Sequence, residues 1–454
     1  MLVVDALHDS RIIFSVRANL SSALLPALKQ ALIIVAAKSQ AGGSPQLVWK
    51  LQSASGWAGS YEHRPEIVWG FCELMDQIQR FNGLTDAFER EMPGLLNSTV
   101  RIDSISAKCT IYTILTGLIS TIWHRHDTFI VNDSVLGEVV EELVHSIRTR
   151  TITFGYIAPI RDFRLRGTDN VTFPNGVRIQ RLRENEATRL YGGLFPVFKT
   201  SFHPPGQFAF TGEIEQHFAI GDEPLPPASL RALVSAGIGT AEEVMMSHKA
   251  GRVLHDWISI SFAKPSPTGT LNMAIDAGPR PAKDVYELTE ADVPQIFDRF
   301  KSITTAEFPA LSTACQRLAD SERRTNAVDA LMDAVVGLEM LLLGGRDREG
   351  LRFRFALNYA TLQSDASPTT RRARFHTAFD IYKVRSQVVH AGVLPDKVFK
   401  IADERLAIGD VATMAKEMLR TTIDALLALQ VPAGAGEREV WFDNFWETGY
   451  FGLR

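Results

Sequence analysis

Arg385 and His390 stand five positions apart in Phe379-Asp-Ile-Tyr-Lys-Val-Arg-Ser-Gln-Val-Val-His-Ala-Gly392. Histidine exchanges a proton near neutral pH, and arginine offers a fixed planar cation that meets a phosphate through two parallel hydrogen bonds. Together they suit proton transfer beside a crowded anionic centre. The spacing alone carries no weight: with 35 Arg and 11 His in 454 residues, chance supplies about one such pair, and a second, Arg371 with His376, is present. Context separates the two. The Arg385 copy ends a long helical pattern, and its His precedes Ala-Gly. On an α-helix five residues turn through about 500°, so Arg385 and His390 lie about 140° apart and flank a groove. His390 falls in the last turn, where the helix dipole favours its charged form.

Charge gathers around this pair. Residues 351–400 hold nine Arg or Lys (Arg352, Arg354, Arg371, Arg372, Arg374, Lys383, Arg385, Lys397, Lys400) against three Asp, a local +6 in a chain of −4. A basic island in an acidic protein fits a confined polyanion site; the alternative is a solvated helix face with internal ion pairs. Glu339 lies inside the apolar run Val335–Leu343 and is a candidate ion-pair partner for Arg385 or Lys383.

Helices must position these residues. After residue 286 the pattern predicts helices over about 289–320, 325–344, 349–362, 367–391 and 407–430. Ser367-Pro368 supplies an N-cap and first-turn pair, and Gly392 stands where a C′ glycine belongs. Helices joined by short loops predict a bundle over 286–430. Residues 151–285 read as mixed α/β: Phe173-Pro-Asn-Gly-Val177 is a turn signal, Val177–Leu182 and Leu271–Ile275 read as strands, and a helix is expected around 240–256. Residues 1–150 read as helical, with helices from Pro26 to about Lys38, over 65–90 and 104–124, and from an Asn132 cap to Arg148. Asp276–Pro281 is the expected linker. Residues 431–454 carry Trp441, Phe442, Phe445, Trp446, Tyr450 and Phe451, too many aromatics for a solvated tail, and are expected to dock on their own domain or on a partner subunit. The fold class is therefore mainly α with a mixed α/β middle and a C-terminal helical bundle.

Composition narrows the rest. At 45% hydrophobic and 22% charged, the chain is an ordinary globular protein. Three distant cysteines, Cys72, Cys109 and Cys315, argue against a disulfide framework and a structural zinc site. No phosphate loop, dinucleotide fingerprint, His-Glu-x-x-His or Gly-x-Ser-x-Gly occurs. No cofactor and no metal is expected; His124-Arg125-His126 lacks further ligands at useful spacing. Leu20–Ala37 and Cys109–Trp123 are apolar but interrupted or short, so both read as buried helices and no membrane contact is expected. With no signal-peptide pattern, the expected location is cytoplasmic.

Three stretches carry a resemblance: Asp329–Leu343, Arg352-Phe-Arg-Phe-Ala356 and Tyr382–Gly392. Together they resemble the Apea-like HEPN domain, specifically across about 325–395 and extending toward 430; Phe173–Leu182 looks more loosely like the N-terminal region of the same proteins. The resemblance implies a HEPN helical bundle working as a homodimer and a metal-independent endoribonuclease that cuts RNA in a toxin–antitoxin or antiviral setting, with an antitoxin or defence-system protein as a further partner. Arg385 and His390 match the family's Arg-x4–6-His pair and carry the catalytic expectation. Ser386, where the family often has Asn, Asp or His, Lys383 and Glu339 are expected to support them; Arg352, Arg354, Arg371, Arg372 and Arg374 are expected to hold RNA. The rival expectation is a non-catalytic module that binds RNA, nucleotide or protein, with the N-terminal region as a sensor.

Overall fold

The computed structural model describes residues 19–41, 43–51, 57–65, 74–76, 78, 82–103, 105–126, 128–129, 131–191, 207–224, 229–255, 257–276, 285–305, 309–343, 350–362, 367–391, 398–429, 444–446 and 448. The fold is mainly helical with several sheets.

Helix α1 (Leu20–Ala41) starts where the Asn19 side chain accepts the Ser22 amide at 2.9 Å. Pro26 therefore lies inside the helix and not in its expected first turn. Within α1, Leu20–Ser39 is long and apolar enough to cross a membrane; Leu24, Leu28 and Val35 are buried, and Ile33 is exposed. An antiparallel hairpin follows, β1 (Gly43–Leu51) with β2 (Trp57–Pro65), then α2 (Asn82–Glu91). A second hairpin, β3 (Thr99–Ile102) with β4 (Ile105–Lys108), turns at Asp103, whose φ is 53°. It delays α3 (Ile111–His126), which Thr110 caps by accepting the Thr113 amide at 3.1 Å. The first 150 residues are thus not purely helical: two hairpins stand where helix or loop was expected. The Asn132 cap is as expected, accepting from the Val135 amide at 3.0 Å; α4 (Asp133–Thr149) buries Val139, Val140, Leu143 and Ile147 on one face. Helix α1 packs on α2, α3 and α4.

The middle region is built on β5 (Thr151–Arg161), followed by β6 (Phe163–Arg166), β7 (Asn170–Thr172), β8 (Arg178–Arg181), α5 (Glu184–Tyr191), β9 (Phe208–His217) and β10 (Ala219–Ile220). The Phe173–Val177 turn closes β7 onto β8, with the Phe173 amide donating to the Val177 carbonyl at 2.7 Å. Helix α6 (Leu230–His248) begins ten residues before the expected 240 and ends earlier too. It stops because Lys249 is extended and β11 (Leu254–His255) then pairs with β5. β12 (Trp257–Phe262) and β13 (Asn272–Asp276) complete an antiparallel sheet in the order β13-β12-β5-β9-β8-β7, and β10 extends the β3–β4 hairpin.

The C-terminal part does not begin at a free linker. β14 (Tyr286–Thr289) pairs in parallel with β6, which ties residue 286 to the middle region; residues 277–284 of the expected linker and beyond lie outside the described residues. Helices α7 (Asp292–Thr305) and α8 (Pro309–Arg323) replace the single helix expected over 289–320. Then come α9 (Ala327–Leu342), α10 (Leu351–Thr361), α11 (Pro368–Ala391), a hairpin of β15 (Val398–Ile401) and β16 (Glu404–Ala407) that sequence reading missed, and α12 (Ile408–Ala428). Helix α9 packs against α8 and α12, α10 pairs with α11, and α11 touches α9. Gly337 makes the α9–α12 approach close: a Cβ there would stand 2.7 Å from Leu419 Cδ2. Asn358 ties α10 to the end of α9 by donating to the Leu342 carbonyl at 2.6 Å. Phe445 and Trp446 of the tail are buried in the main core.

Two buried carboxylates join bundle to middle. Glu242 of α6 meets His255 and Arg323, each at 2.7 Å. Glu322 of α8 meets Arg420 and Lys416, each at 2.8 Å, and Arg420 also donates to the Met246 carbonyl at 3.3 Å. Buried charges are tolerated when paired in this way, and removing one partner leaves the other uncompensated.

Candidate functional site

Helix α11 carries the candidate site, its start set by local chemistry and its middle by packing. Ser367 Oγ accepts the Thr370 amide at 3.2 Å, which starts the helix at Pro368. Ala378, Ile381, Tyr382, Val384 and Val388 are buried and hold the helix against α9 and α10. The expected stop at Gly392–Pro395 lies outside the described residues.

Arg385 and His390 face different surroundings, as the turn of about 140° between them requires. The Arg385 side chain is 26% exposed, and its Nη2 stands 3.5 Å from Glu339 Oε2 on α9. Its Cζ lies 5.9 Å from the centre of the Tyr382 ring, and its buried Nε has no hydrogen-bond partner. Burial, followed by the Glu339 carboxylate beside it, pushes the Tyr382 hydroxyl above its ordinary range. Glu339 is therefore the partner of Arg385, one of the two cations expected for it. His390 is exposed in the last described turn. Ser386 is half-buried and Lys383 is exposed. Of the Val388–Val389 step, which offered apolar surface in the sequence, Val388 is buried in its own chain and only Val389 is exposed.

The exposed face of α11 is a stripe. Arg372, His376, Lys383 and His390 are all exposed and lie within about 40° of one another around the axis, over about 27 Å. Asp380 flanks the stripe, and its carboxylate accepts the Ala402 amide at 2.8 Å. Arg372 and Lys383 are the cations of this face, and a positive helix face attracts a polyanion at a distance and holds it by phosphate contacts. The stripe includes both copies of the Arg-x4-His spacing by their histidines, His376 and His390, while Arg385 lies behind it.

The remaining arginines divide. Arg352 Nε donates to the Phe379 carbonyl at 3.1 Å, and its Cζ sits 3.4 Å from the centre of the Phe379 ring, so it fastens α10 to α11. Arg354 and Arg371 are half-buried and engaged; Arg374 is half-buried, with a buried Nη1 lacking a hydrogen-bond partner. Only Arg372 of the five is fully on the surface. Sequence reading passed over the rings between them. Phe353 is 54% exposed and meets Phe375 edge-on at 5.4 Å; Phe375 stacks on Phe379 at 5.6 Å. The signal was present in Phe375 and Phe379, four residues apart on one face of a helix.

Among the described residues no group of three or more His, Cys, Asp or Glu is placed to hold a metal ion. Cys109 and Cys315 are buried free thiols, and Cys72 lies outside the described residues. Comparison of the chain with family models, with curated proteins and with solved structures found no match.

Proposed function

We propose that this chain is a metal-independent endoribonuclease of the HEPN type, cytoplasmic and without a membrane role, acting in a toxin or antiviral defence setting. Its C-terminal bundle is the HEPN domain, and its site is composite: Arg385 and His390 from each of two copies meet about a two-fold axis. The observation that carries this is His390, an exposed imidazole at the end of a cationic helix face, five residues from an arginine whose Nε has no partner. One His390 takes the proton from the ribose 2′-OH, which attacks the adjacent phosphorus; the other gives a proton to the departing 5′-oxygen. Arg385 stabilises the charge that builds on the phosphate oxygens. Lys383 and Arg372 hold the flanking phosphates.

The test is cleavage of single-stranded RNA and of tRNA in EDTA. Cleavage is expected to persist with chelator and to vanish in Arg385→Ala and His390→Ala, while His376→Ala cleaves. Full cleavage by His390→Ala refutes the assignment, and loss confined to His376→Ala moves it to the other copy. Light scattering at micromolar concentration is expected to give a dimer mass.

One observation favours a second function. Arg385 is held by Glu339 and lies behind the exposed stripe, which suits a non-catalytic module that binds RNA, nucleotide or protein. Binding of RNA without any cleavage, unchanged in Arg385→Ala, would select it.

A further inference from the structure

Phe353 leaves more than half of its surface in water although it sits on a helix that packs well. A single exposed apolar residue needs no explanation. Phe353 is not single. Its ring meets Phe375, Phe375 stacks on Phe379, and the Arg352 guanidinium lies over the Phe379 ring. Edge-on contact with Phe375 holds the Phe353 ring at a fixed place while leaving it open to solvent. His376, also exposed, lies 5.6 Å from the Phe375 ring. Arg372, exposed three residues before Phe375, is a cation on the same helix. An open aromatic ring with a cation nearby is a combination that binds unpaired bases: the ring stacks on a base face while the cation holds a phosphate.

We propose that Phe353, supported by Phe375 and Arg352, is a ledge on which one unpaired base of a single-stranded RNA stacks. This rests on the RNA-acting function proposed above and names its substrate class: single strands and loops over duplex. A duplex keeps its bases stacked inside and offers no face to the ring. From Phe375, the α11 ring that Phe353 meets, to His390 the helix axis runs about 22 Å, which is about seven nucleotides at the stacked spacing of 3.4 Å. The stripe through Lys383 lies between the two. A strand anchored at the ledge therefore presents a phosphate to His390 about seven nucleotides away, which makes Phe353 a specificity determinant and not a catalytic residue.

The experiment measures binding of a fluorescein-labelled, fully 2′-O-methylated 12-mer of uridine, which cannot be cleaved through its 2′-oxygen, by anisotropy. A 2′-O-methylated duplex of equal length runs in parallel. Phe353→Ala and Phe353→Leu are expected to weaken single-strand binding roughly 5- to 150-fold, the range that loss of one base–aromatic stack gives, and to leave duplex binding unchanged. Phe353→Trp is expected to restore or exceed wild-type affinity and to add tryptophan quenching on binding that the wild type lacks. Single-strand affinity that is unchanged in both Phe353→Ala and Phe353→Leu overturns the ledge while leaving the RNA function standing. If the wild type binds neither oligonucleotide, the RNA function falls and the ledge with it. If Phe353→Ala instead converts a dimer to a monomer by light scattering, the ring belongs to an interface between copies and the ledge is overturned.

Discussion

Replacing Glu339 by Gln tests whether Arg385 is free to act. Arg385 Nη2 and Glu339 Oε2 are 3.5 Å apart, with side chains 26% and 21% exposed. At an effective dielectric of about 20, unit charges at that distance attract by roughly 5 kcal/mol. Water reaches both groups, the contact is long, and each loses solvation on pairing, so the net contribution is about 1 kcal/mol. To contact a phosphate, Arg385 must give up this partner. Glu339→Gln keeps the shape and removes the opposing charge. It is expected to lower stability in urea by about 1 kcal/mol and to tighten binding of single-stranded RNA about 5-fold, the equivalent of that energy. Its salt dependence steepens by roughly 0.7 in logarithmic slope, for one more neutralised phosphate per strand. Cleavage at saturating RNA is expected to match or exceed wild type. If Glu339→Gln leaves RNA affinity and salt slope unchanged, Arg385 is a structural cation. If it abolishes cleavage as fully as Arg385→Ala, the carboxylate positions the guanidinium for the reaction, and Arg385 does not act by leaving Glu339.

Gly337→Ala drives a Cβ to 2.7 Å from Leu419 Cδ2 and 3.2 Å from Arg317 Cβ, and Leu419 is fully buried and has nowhere to move. Overpacking of about 1–3 kcal/mol outweighs the helix-propensity gain of about 1, so the urea midpoint is expected to fall; a raised midpoint would mean that Leu419 gives way to the added methyl. Burial, with smaller contributions from Asp320 and Glu242 and partial relief from Arg323, raises the Glu243 carboxyl from 4.5 to about 7. Between those values the folded state binds a proton that the unfolded state has lost, so Glu243 lowers stability as pH rises through that window. Subtracting the Glu243→Gln stability curve from the wild-type curve is expected to expose that fall, and a flat difference would refute it. Burial pushes the Cys109 and Cys315 thiols up to about 12. Native protein at pH 8 is expected to leave both unalkylated by iodoacetamide over minutes, read by peptide mass spectrometry; rapid labelling of either would contradict their burial.

What the sequence made legible was local. The Ser367-Pro368 start of α11, the Asn132 cap of α4 and the Phe173–Val177 turn each depend on residues within four or five positions, and each is as expected. Four of the five expected bundle helices, now α9 to α12, lie within a few residues of their expected bounds because an apolar stripe repeats with the helical period, whereas the one expected over 289–320 is two. Long-range pairings were not legible. Tyr286–Thr289 is a strand because Phe163–Arg166 lies beside it, more than 100 residues earlier, and nothing in Tyr-Glu-Leu-Thr announces that partner. Nothing in the sequence singles out Glu242 or Glu322; their burial depends on Arg323 and Arg420 arriving from other helices. Glu339 was legible because its acid stands within an apolar run, so that burial and a cationic partner could be foreseen together.

The geometry of α11 bears directly on how many chains make one site. A residue that must donate to a leaving oxygen and one that must accept from a 2′-OH stand on opposite sides of the same phosphorus, so a single imidazole cannot do both at once. In one chain the other exposed imidazole on the stripe, His376, lies about 21 Å along the axis from His390, far beyond the width of a phosphate. If the chain cleaves RNA as proposed, the second proton carrier must come from elsewhere. A second copy placed about a two-fold axis near the C-terminal turn of α11 supplies it, and the same operation doubles Lys383 and brings Val389, exposed on that turn, against its own symmetry mate. Because Val388 is spent inside its own bundle, the apolar part of such an interface is small, and its balance rests on charge. Two cationic stripes repel each other without RNA between them and are bridged when RNA binds, so dimer strength is expected to rise with added single-stranded RNA and with salt in its absence. A dimer that sedimentation shows to weaken on adding either one would place the interface away from α11 and separate the two His390 residues that the proposed cleavage requires.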